Sequence, residues 1–175
     1  MTSIIKVDQI QNTSGTTGLS IDGSGFVAPK VPLFQVVLTS DQTVSSNVFT
    51  KVDWSAHGTV TVDNTSAWDS SNERWVPQTA GWYSVSGQLV FGTGTVQAGI
   101  VRVYKNSDIV SQQSSYMTSN SADDLATSTT SLIYLNGSTD YIELHGLARD
   151  ASASTDVFFG SNGQCLFGAH LVSTA

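Results

Sequence analysis

Alternation of apolar and polar side chains with a period of two runs through most of this sequence, and it limits the fold more than any other feature. The alternating segments are short and rich in Val, Thr, Tyr and Phe, with turn sequences such as 22–23, 106–108 and 136–138 between them. No stretch shows the period of about 3.6 residues that marks an amphipathic helix. Many short strands at such spacing are typical of a sandwich or barrel, so the sequence predicts an all-β fold.

The first 30 residues differ in pattern from the rest of the chain. Residues 3–10 read as a strand, and a hairpin signal stands at 22–25. Two or three strands alone are not stable in water, so this segment must pack against its own globular domain, against sister chains or against another protein. We therefore expect an N-terminal β anchor at residues 1–30 and a globular head at residues 31–175. The anchoring side chains are predicted to be Ile4, Ile5, Val7 and Ile10.

The head sequence predicts strands and also the faces that these strands bury. The expected strands are 34–38, 47–54, 59–63, 73–77, 82–91, 96–105, 109–117, 128–135, 139–147, 156–160 and 164–172. In the strand from Trp82, the core face should consist of Tyr83, Val85, Gly87, Leu89 and Phe91. Residues 132–135 are apolar on both faces, which is typical of a strand whose second face meets another subunit.

Charge is sparse in this chain, and its balance is acidic. Charged residues make up 12% of the sequence, compared with about 25% in a typical soluble domain. Low surface charge leaves room for burial between protein chains. The net charge is −7 and the cations form no basic cluster, so nucleic acid is not an expected partner. No stretch approaches the ~18 apolar residues of a membrane span, which predicts no membrane insertion.

An ordered series of motifs within residues 34–172 resembles one known family. The motifs stand at 49–54, 74–87, 101–106, 132–135, 140–144 and 167–171. In the most recognisable of them, an aromatic residue enters one strand and a Gly-aromatic-Tyr step opens the next. The series resembles the globular heads of complement component one-q and adiponectin, relatives of the tumour-necrosis-factor jelly roll. This resemblance implies a jelly-roll β-sandwich that forms a homotrimer.

The N-terminal segment has a resemblance of its own. Residues 3–15, together with 19–22, are similar to a segment that recurs at the start of structural and fibre proteins of marine bacteriophages, cyanophages especially. Joined to a trimeric head, this similarity implies a phage virion protein whose N-terminal segment binds other virion proteins. Because no signal peptide is visible, we expect synthesis in the host cytoplasm and a location in the virion.

Residue types that could carry out catalysis or bind metals occur without the spacing that such sites need. The histidines His57, His145 and His170 are not at metal-ligand spacing from one another or from the single cysteine, Cys165. No Gly-x-Ser-x-Gly sequence marks a nucleophile. We therefore predict no enzymatic activity, no cofactor and no metal site, with Cys165 buried as a small apolar side chain.

Three long connections, at 92–95, 118–127 and 148–155, are predicted to share one end of the head. Successive connections alternate between the ends of a jelly roll, and loops on a rigid scaffold commonly carry binding. The candidate binding residues are Asn120, Asp123, Asp124, Arg149 and Asp150. Two alternatives stay open: these loops are simply solvated, or the carboxylates of Asp123, Asp124 and Asp150 help to hold a calcium ion.

Several functions are compatible with this sequence. The leading interpretation is a virion-surface trimer at the tip of a tail fibre, which contacts a receptor or glycan on the host. A capsid decoration trimer is the alternative, and a secreted recognition module is a second one. Trp54, Trp68 and Trp75 could stack on sugars, but burial in the core or in trimer contacts is the preferred interpretation.

Overall fold

A computed structural model of the chain describes residues 7–15, 17–29, 31–92, 96–117, 124–150, 155–160 and 164–174. The chain divides into two compact units, Met1–Val31 and Pro32–Ala175. The first unit holds one small sheet, and the second holds two larger sheets and one short helix. Within the described ranges, no helix is long and apolar enough to cross a membrane.

The N-terminal unit contains a three-stranded antiparallel sheet. Its strands are β1 (Gln9–Gln11), β2 (Thr17–Ile21) and β3 (Val27–Pro29), in the order β1-β2-β3. The turn between β2 and β3 forms because the Asp22 carboxylate accepts hydrogen bonds from the backbone N–H groups of Ser24 and Phe26, both at 2.9 Å. Gly25 supplies a positive φ of 85°, which a residue without Cβ adopts at little cost.

The head, Pro32–Ala175, is built from antiparallel strands. They are β4 (Leu33–Leu38), β5 (Gln42–Ser45), β6 (Thr50–Lys51), β7 (Gly58–Asp63), β8 (Trp68–Asp69), β9 (Arg74–Trp75), β10 (Ala80–Gly92), β11 (Val96–Lys105), β12 (Asp108–Tyr116), β13 (Leu125–Asn136), β14 (Ile142–Asp150), β15 (Thr155–Phe158) and β16 (Leu166–Thr174). The helix α1 (Trp54–His57) follows β6 in sequence.

Two sheets face each other across the core of the head. Sheet I places β10 between β13 on one side and β16 on the other, with β4 and β7 beyond β16; β15 and β5 extend this sheet beside the end of β10. Sheet II has the order β12-β11-β14-β9-β8, and β6 also pairs with β14. A 2.6 Å hydrogen bond between the hydroxyls of Ser111 and Thr129 joins β12 to β13 along one edge. This arrangement confirms the predicted all-β sandwich.

The core is formed by the strand faces that the alternation predicted. On β10, Tyr83, Val85, Leu89 and Phe91 are all fully buried. The Tyr83 hydroxyl donates to the backbone carbonyl of Thr79 at 2.7 Å, and burial raises the pKa of Tyr83 to about 12. The phenol therefore stays neutral and satisfied inside the core.

The tryptophans that could have bound sugars belong to this core. Trp54 and Trp75 are buried, and Trp68 is half-buried and packs against the core cluster. Phe34 stacks on Trp68 and on Trp75 with ring centroids 5.1 and 5.5 Å apart. Burial, the preferred interpretation from the sequence, is thus confirmed in the core for Trp54 and Trp75.

Cys165, which stands just before β16, is fully buried as predicted. The thiol lies against the backbone of β10, with Sγ 3.2 Å from the nitrogen of Val90. Burial raises the pKa of the Cys165 thiol to about 11. A thiol that stays protonated and out of contact with solvent is unreactive.

The prediction of one continuous strand over residues 47–54 is wrong. Asn47 has a positive φ of 62°, and pairing is limited to Thr50–Lys51. Asp53 then caps α1 by accepting a hydrogen bond from the backbone N–H of Ala56 at 2.9 Å. The apolar residues of this stretch suggested a strand, but the segment crosses from sheet I to sheet II and buries its side chains from irregular backbone. The pattern also missed β5, because Gln42–Ser45 is mostly polar.

Two strands have other bounds than their sequence pattern predicted. β13 is longer, because it begins at Leu125 rather than 128, and β14 is displaced along the chain to Ile142–Asp150 from the predicted 139–147. In β13 residues 127–131 are all Ser or Thr, which give no apolar alternation even where they are buried. The buried Thr127 hydroxyl, for example, donates to the backbone carbonyl of Gly99 at 3.2 Å.

Candidate functional site

One end of the head, here called the loop end, collects three of the connections between strands. Phe91 pairs with Leu125 at this end of sheet I, and Val96 pairs with Asp150 in sheet II. The short connection from Gly92 to Val96 places both pairs at the same end of the sandwich. The connections from β10 to β11, from β12 to β13 and from β14 to β15 therefore leave and return here, as the alternation of strands predicted.

The predicted binding residues at the loop end differ in exposure. Asp124, just before β13, and Arg149, near the end of β14, are exposed. Asn120 and Asp123 lie outside the described residues. Asp124 and Arg149 are therefore the predicted residues that the structure leaves accessible to a partner.

Asp150 has a structural position instead. Asp150 is buried, and its backbone N–H donates a hydrogen bond to the Ser46 hydroxyl at 3.0 Å. The Asp150 carbonyl accepts a hydrogen bond from the Asn47 amide at 3.3 Å. These bonds attach the turn after β5 to the last residue of β14, so the residue expected in a binding loop helps to close the sandwich.

The opposite end, here called the turn end, is held by a buried carboxylate. Asp140 forms an ion pair with Lys105 at 2.9 Å and accepts hydrogen bonds from the Asn106 side chain at 2.6 Å and the Asn136 backbone at 3.0 Å. Burial raises the pKa of Asp140, but the hydrogen bonds from Lys105 and Asn106 outweigh that effect and lower it. One carboxylate thus fixes two tight turns together.

The first and last strands of the head reach the turn end. Thr174 pairs with Gly81 at the start of β10, next to the pair formed by Ala80 and Asn136. The carbonyl of Pro32 accepts a hydrogen bond from the backbone N–H of Leu171 at 3.0 Å. The head therefore begins and finishes away from the loop end.

The outward side of sheet I, here called the uncharged face, has no Lys, Arg, Asp or Glu among its described side chains on β10, β13, β16 and β4. Strand alternation and register assign these outward residues. They are Trp82, Ser84, Ser86 and Gln88 on β10; Ser128, Thr130, Leu132 and Tyr134 on β13; Leu166, His170 and Val172 on β16; and Leu33, Gln35 and Val37 on β4. A sheet face this poor in charge is unusual for a surface in contact with water alone.

The part of the uncharged face nearest the turn end carries an apolar cluster. Leu132 and Val172 are 55% and 57% exposed, and Trp82 is 44% exposed. The rings of Trp82 and Tyr134 pack edge to face with centroids 5.6 Å apart. Exposed apolar side chains concentrated in one patch mark a surface that contacts another molecule.

The outward side of sheet II, here called the charged face, is built differently. Register aligns Gln112, Arg102, His145 and Lys51 in one row across four strands. Glu143 on β14 contacts two members of this row: it forms an ion pair with Lys51, and its carboxylate lies 3.0 Å from Nε2 of His145. The charged face thus presents Arg102, Glu143 and Lys51, whereas the uncharged face presents no residue of these types among its described side chains.

Aromatic rings complete the charged face. The Arg102 guanidinium carbon lies 3.5 Å from the ring centroid of Phe49, and Arg102 Nε donates to the Gln112 amide oxygen at 2.5 Å. The ring of Tyr104 lies 4.4 Å from that of His145. These groups satisfy one another, which favours a role in holding β6, β14, β11 and β12 together.

Several solved structures have a similar fold. Eiger TNF from S. frugiperda gives a TM-score of 0.56 at 12% identity, covering 83% of this chain and 94% of that chain. The globular domain of zebrafish complement 1qA gives 0.57 at 12% identity, with 83% and 100% covered. Murine APRIL gives 0.58 at 14% identity, with 82% and 100% covered. No protein-family model and no curated protein matches the sequence.

The chain has the jelly-roll fold of C1q and TNF-like globular domains. The resemblance read from the sequence is confirmed at the level of fold. In this jelly roll one sheet contains β4, β16, β10 and β13, and the second contains β12, β11 and β14. Identity of 12–14% shows a shared fold alone.

Sequence reasoning missed the two faces of the jelly-roll head. The Lys51 partnership with Glu143 was hidden because residues 47–54 were assigned to one long strand. Trp82 was placed correctly opposite to the core face, yet its neighbours Leu132 and Val172 come from distant parts of the chain. The sequence did contain one indication of the uncharged face, since the outward positions of the strand from Trp82 carry no charge.

Metal binding finds no support in the described part of this jelly roll. No group of three His, Cys, Asp or Glu is close enough there to hold an ion. His145 and His170 lie in strands on opposite faces, and His57 ends α1.

Proposed function

We propose that this protein is a trimeric virion-surface protein of a bacteriophage, whose head attaches to the host at the tip of a tail fibre. The observation that supports this proposal is the uncharged face. It gives a head of C1q and TNF-like fold one large surface suited to contact with a neighbouring protein. The proposed role is binding, and no catalytic step is assigned to the chain.

The uncharged face is proposed to meet a second copy of this chain. The cores of protein interfaces are depleted in charge and enriched in aromatic residues, as in the cluster of Trp82, Tyr134 and Leu132. In a cyclic trimer, each face meets a different surface of the next copy. The edge strand β12 offers such a surface, because Ile109 and Tyr116 on it are 49% and 67% exposed.

The orientation of the head in the virion follows from its two ends. The head begins at the turn end, where Pro32 binds Leu171. A particle that holds the N-terminal segment would therefore hold the head by its turn end and leave the loop end free. This arrangement supports host binding by the loops that carry Asp124 and Arg149.

The virion location rests on the N-terminal sequence, which resembles a segment of marine phage structural proteins. A capsid decoration trimer would use the same head and the same uncharged face, and it differs only in where the N-terminal segment binds. Electron microscopy of virions labelled through a tag on this protein distinguishes the two. We expect label at the tail tip; label over the capsid would replace the fibre role with decoration.

Host attachment is tested by reversing charges at the loop end. We expect phage carrying Asp124→Lys together with Arg149→Glu to lose adsorption to the host, because both exposed side chains lie at the proposed contact. The melting temperature and the trimer mass should not change, since neither side chain is part of the core. Adsorption is measured as the fraction of phage removed from suspension by host cells.

The matched control is Asp108→Lys, which changes an exposed carboxylate at the turn end. This variant should adsorb normally. Normal adsorption of the loop-end variant, or its loss in the control, would show that the head binds through another surface.

A further inference from the structure

The three-stranded sheet of the N-terminal unit has one apolar face. Ile10 pairs with Leu19, and Ile21 pairs with Val27, so direct cross-strand pairing places all four side chains on the same side. We call this side the apolar strip. The described side chains of the strip are aliphatic and none is charged.

The other face of the sheet is polar and internally bonded. The Gln9 side-chain oxygen accepts hydrogen bonds from the Gln11 amide at 2.7 Å and from the Thr17 hydroxyl at 3.0 Å. Ser20, opposite to Gln9 in register, belongs to the same side. This face is suited to water, so any partner of the sheet is expected on the apolar strip.

None of the described residues of the N-terminal unit buries the apolar strip. Ile10 and Val27 are each 57% exposed, and no side chain described in the unit is buried. A three-stranded sheet needs a hydrophobic face packed against another layer to be stable. The strip therefore needs a covering surface beyond the described residues of the unit.

We propose that the apolar strips of three copies of this chain cover one another around the axis of the trimer, forming a three-sided β-prism. The inference rests on the trimer of the proposed function and adds a second contact to it. A narrow uncharged strip needs a partner of the same size and chemistry, and the same strip on the two other copies has both properties.

The direct connection between the N-terminal unit and the head also favours the other two copies of the chain as the partners of the apolar strip. Each N-terminal unit is connected directly to Pro32, and threefold symmetry places the three Pro32 residues at one height along the axis. Segments tethered in this way meet at an effective concentration on the order of mM, far above that of a free partner. Closure around the axis then leaves the polar face of each sheet in contact with water.

Cross-linking of the full-length chain tests the prism. The only native cysteine, Cys165, is buried, so a cysteine introduced in the N-terminal unit is the one thiol that a reagent reaches. With Leu19→Cys, a short bis-maleimide should join two chains of each trimer. The product on a denaturing gel should shift from the chain mass to twice that mass, independently of protein concentration.

The matched control is Ser20→Cys, the neighbouring residue on the polar face. It should react with a monofunctional maleimide but give no band at twice the chain mass. If Leu19→Cys lowers expression, Val27→Cys on the adjacent strand gives the same test. Equal cross-linking of Leu19→Cys and Ser20→Cys, or none from either, would overturn the prism.

Light scattering on the same samples separates this inference from the proposed function. If the protein is a trimer and Leu19→Cys is protected from maleimide but not cross-linked, the apolar strip is covered by another surface. That result overturns the prism and is still compatible with the trimer. A monomer overturns both.

Discussion

The paired carboxylates of the head show how single side chains hold distant strands together. Glu143 on β14 binds Lys51 on β6 and His145 on its own strand. Burial raises the pKa of Glu143, but the hydrogen bonds from His145 and Lys51 outweigh that effect and hold the pKa below its ordinary value of 4.5. The charged form is thus favoured by folding.

Acid should weaken the head through these carboxylates. An acid whose pKa is lower in the folded than in the unfolded chain stabilises the fold above the unfolded value and loses this contribution as the pH falls through the folded value. Glu143 and Asp140 both have lowered pKa values, so the free energy of unfolding should fall as the pH drops below about 4.5. Urea unfolding at a series of pH values measures this dependence.

Glu143→Gln isolates one of the two groups. The variant should be less stable than the wild type at pH 7, because the ion pair with Lys51 is lost, and its stability should fall less steeply in acid. A variant with the same acid dependence as the wild type would show that Glu143 does not contribute to it.

Among the elements, the segment from β5 to α1 joins the two sheets without being a regular strand itself. Gln42 on β5 is buried, and its amide donates to the backbone carbonyl of Lys51 at 3.1 Å. Its side-chain oxygen accepts a hydrogen bond from the backbone N–H of Asp53 at 2.9 Å. One amide side chain therefore satisfies backbone groups on both sides of Val52.

Gln42→Ala should destabilise the head by about 1–3 kcal/mol, because it leaves a backbone donor and a backbone acceptor unsatisfied in a partly buried position. The change is measured by urea unfolding at neutral pH. Thr43→Ala, at the exposed neighbouring position, is the control and should change stability by less than about 0.5 kcal/mol. Equal effects of both substitutions would contradict the role assigned to Gln42.

For the whole molecule, the separation of charge between the two outward faces is the property with the largest consequence. Arg102, Glu143 and Lys51 lie on sheet II, while the uncharged face of sheet I carries Trp82 and Leu132. Such a separation fits a head whose sheet I is covered by its neighbours and whose sheet II remains in water.

Leu132→Lys should break the proposed trimer, because it places a charge in the apolar cluster of every copy. Light scattering at micromolar concentration should give three times the 18.5 kDa chain mass for the wild type and a smaller mass for the variant. Val48→Lys is the control, since Val48 is similarly exposed at 51% but lies in the turn before β6. An unchanged trimer mass for Leu132→Lys would place the interface elsewhere.

The sequence by itself determined the strands whose one face is apolar and the core that they form. β10 and β11 are the clearest cases, since the strand predicted at 96–105 is the one observed and Tyr83, Val85 and Leu89 are buried as expected. Alternation succeeds there because a half-buried strand must place every second side chain in the core. The same local rule predicted that the long connections share one end.

Only the tertiary structure decided the features that combine distant residues. The place of β6 and α1 depends on hydrogen bonds from Gln42, and the burial of Asp150 depends on the turn at Ser46. The uncharged face likewise joins strands that are separated in sequence, such as β4 and β13. A local pattern cannot contain these contacts, because each is fixed by strand register across the sheets.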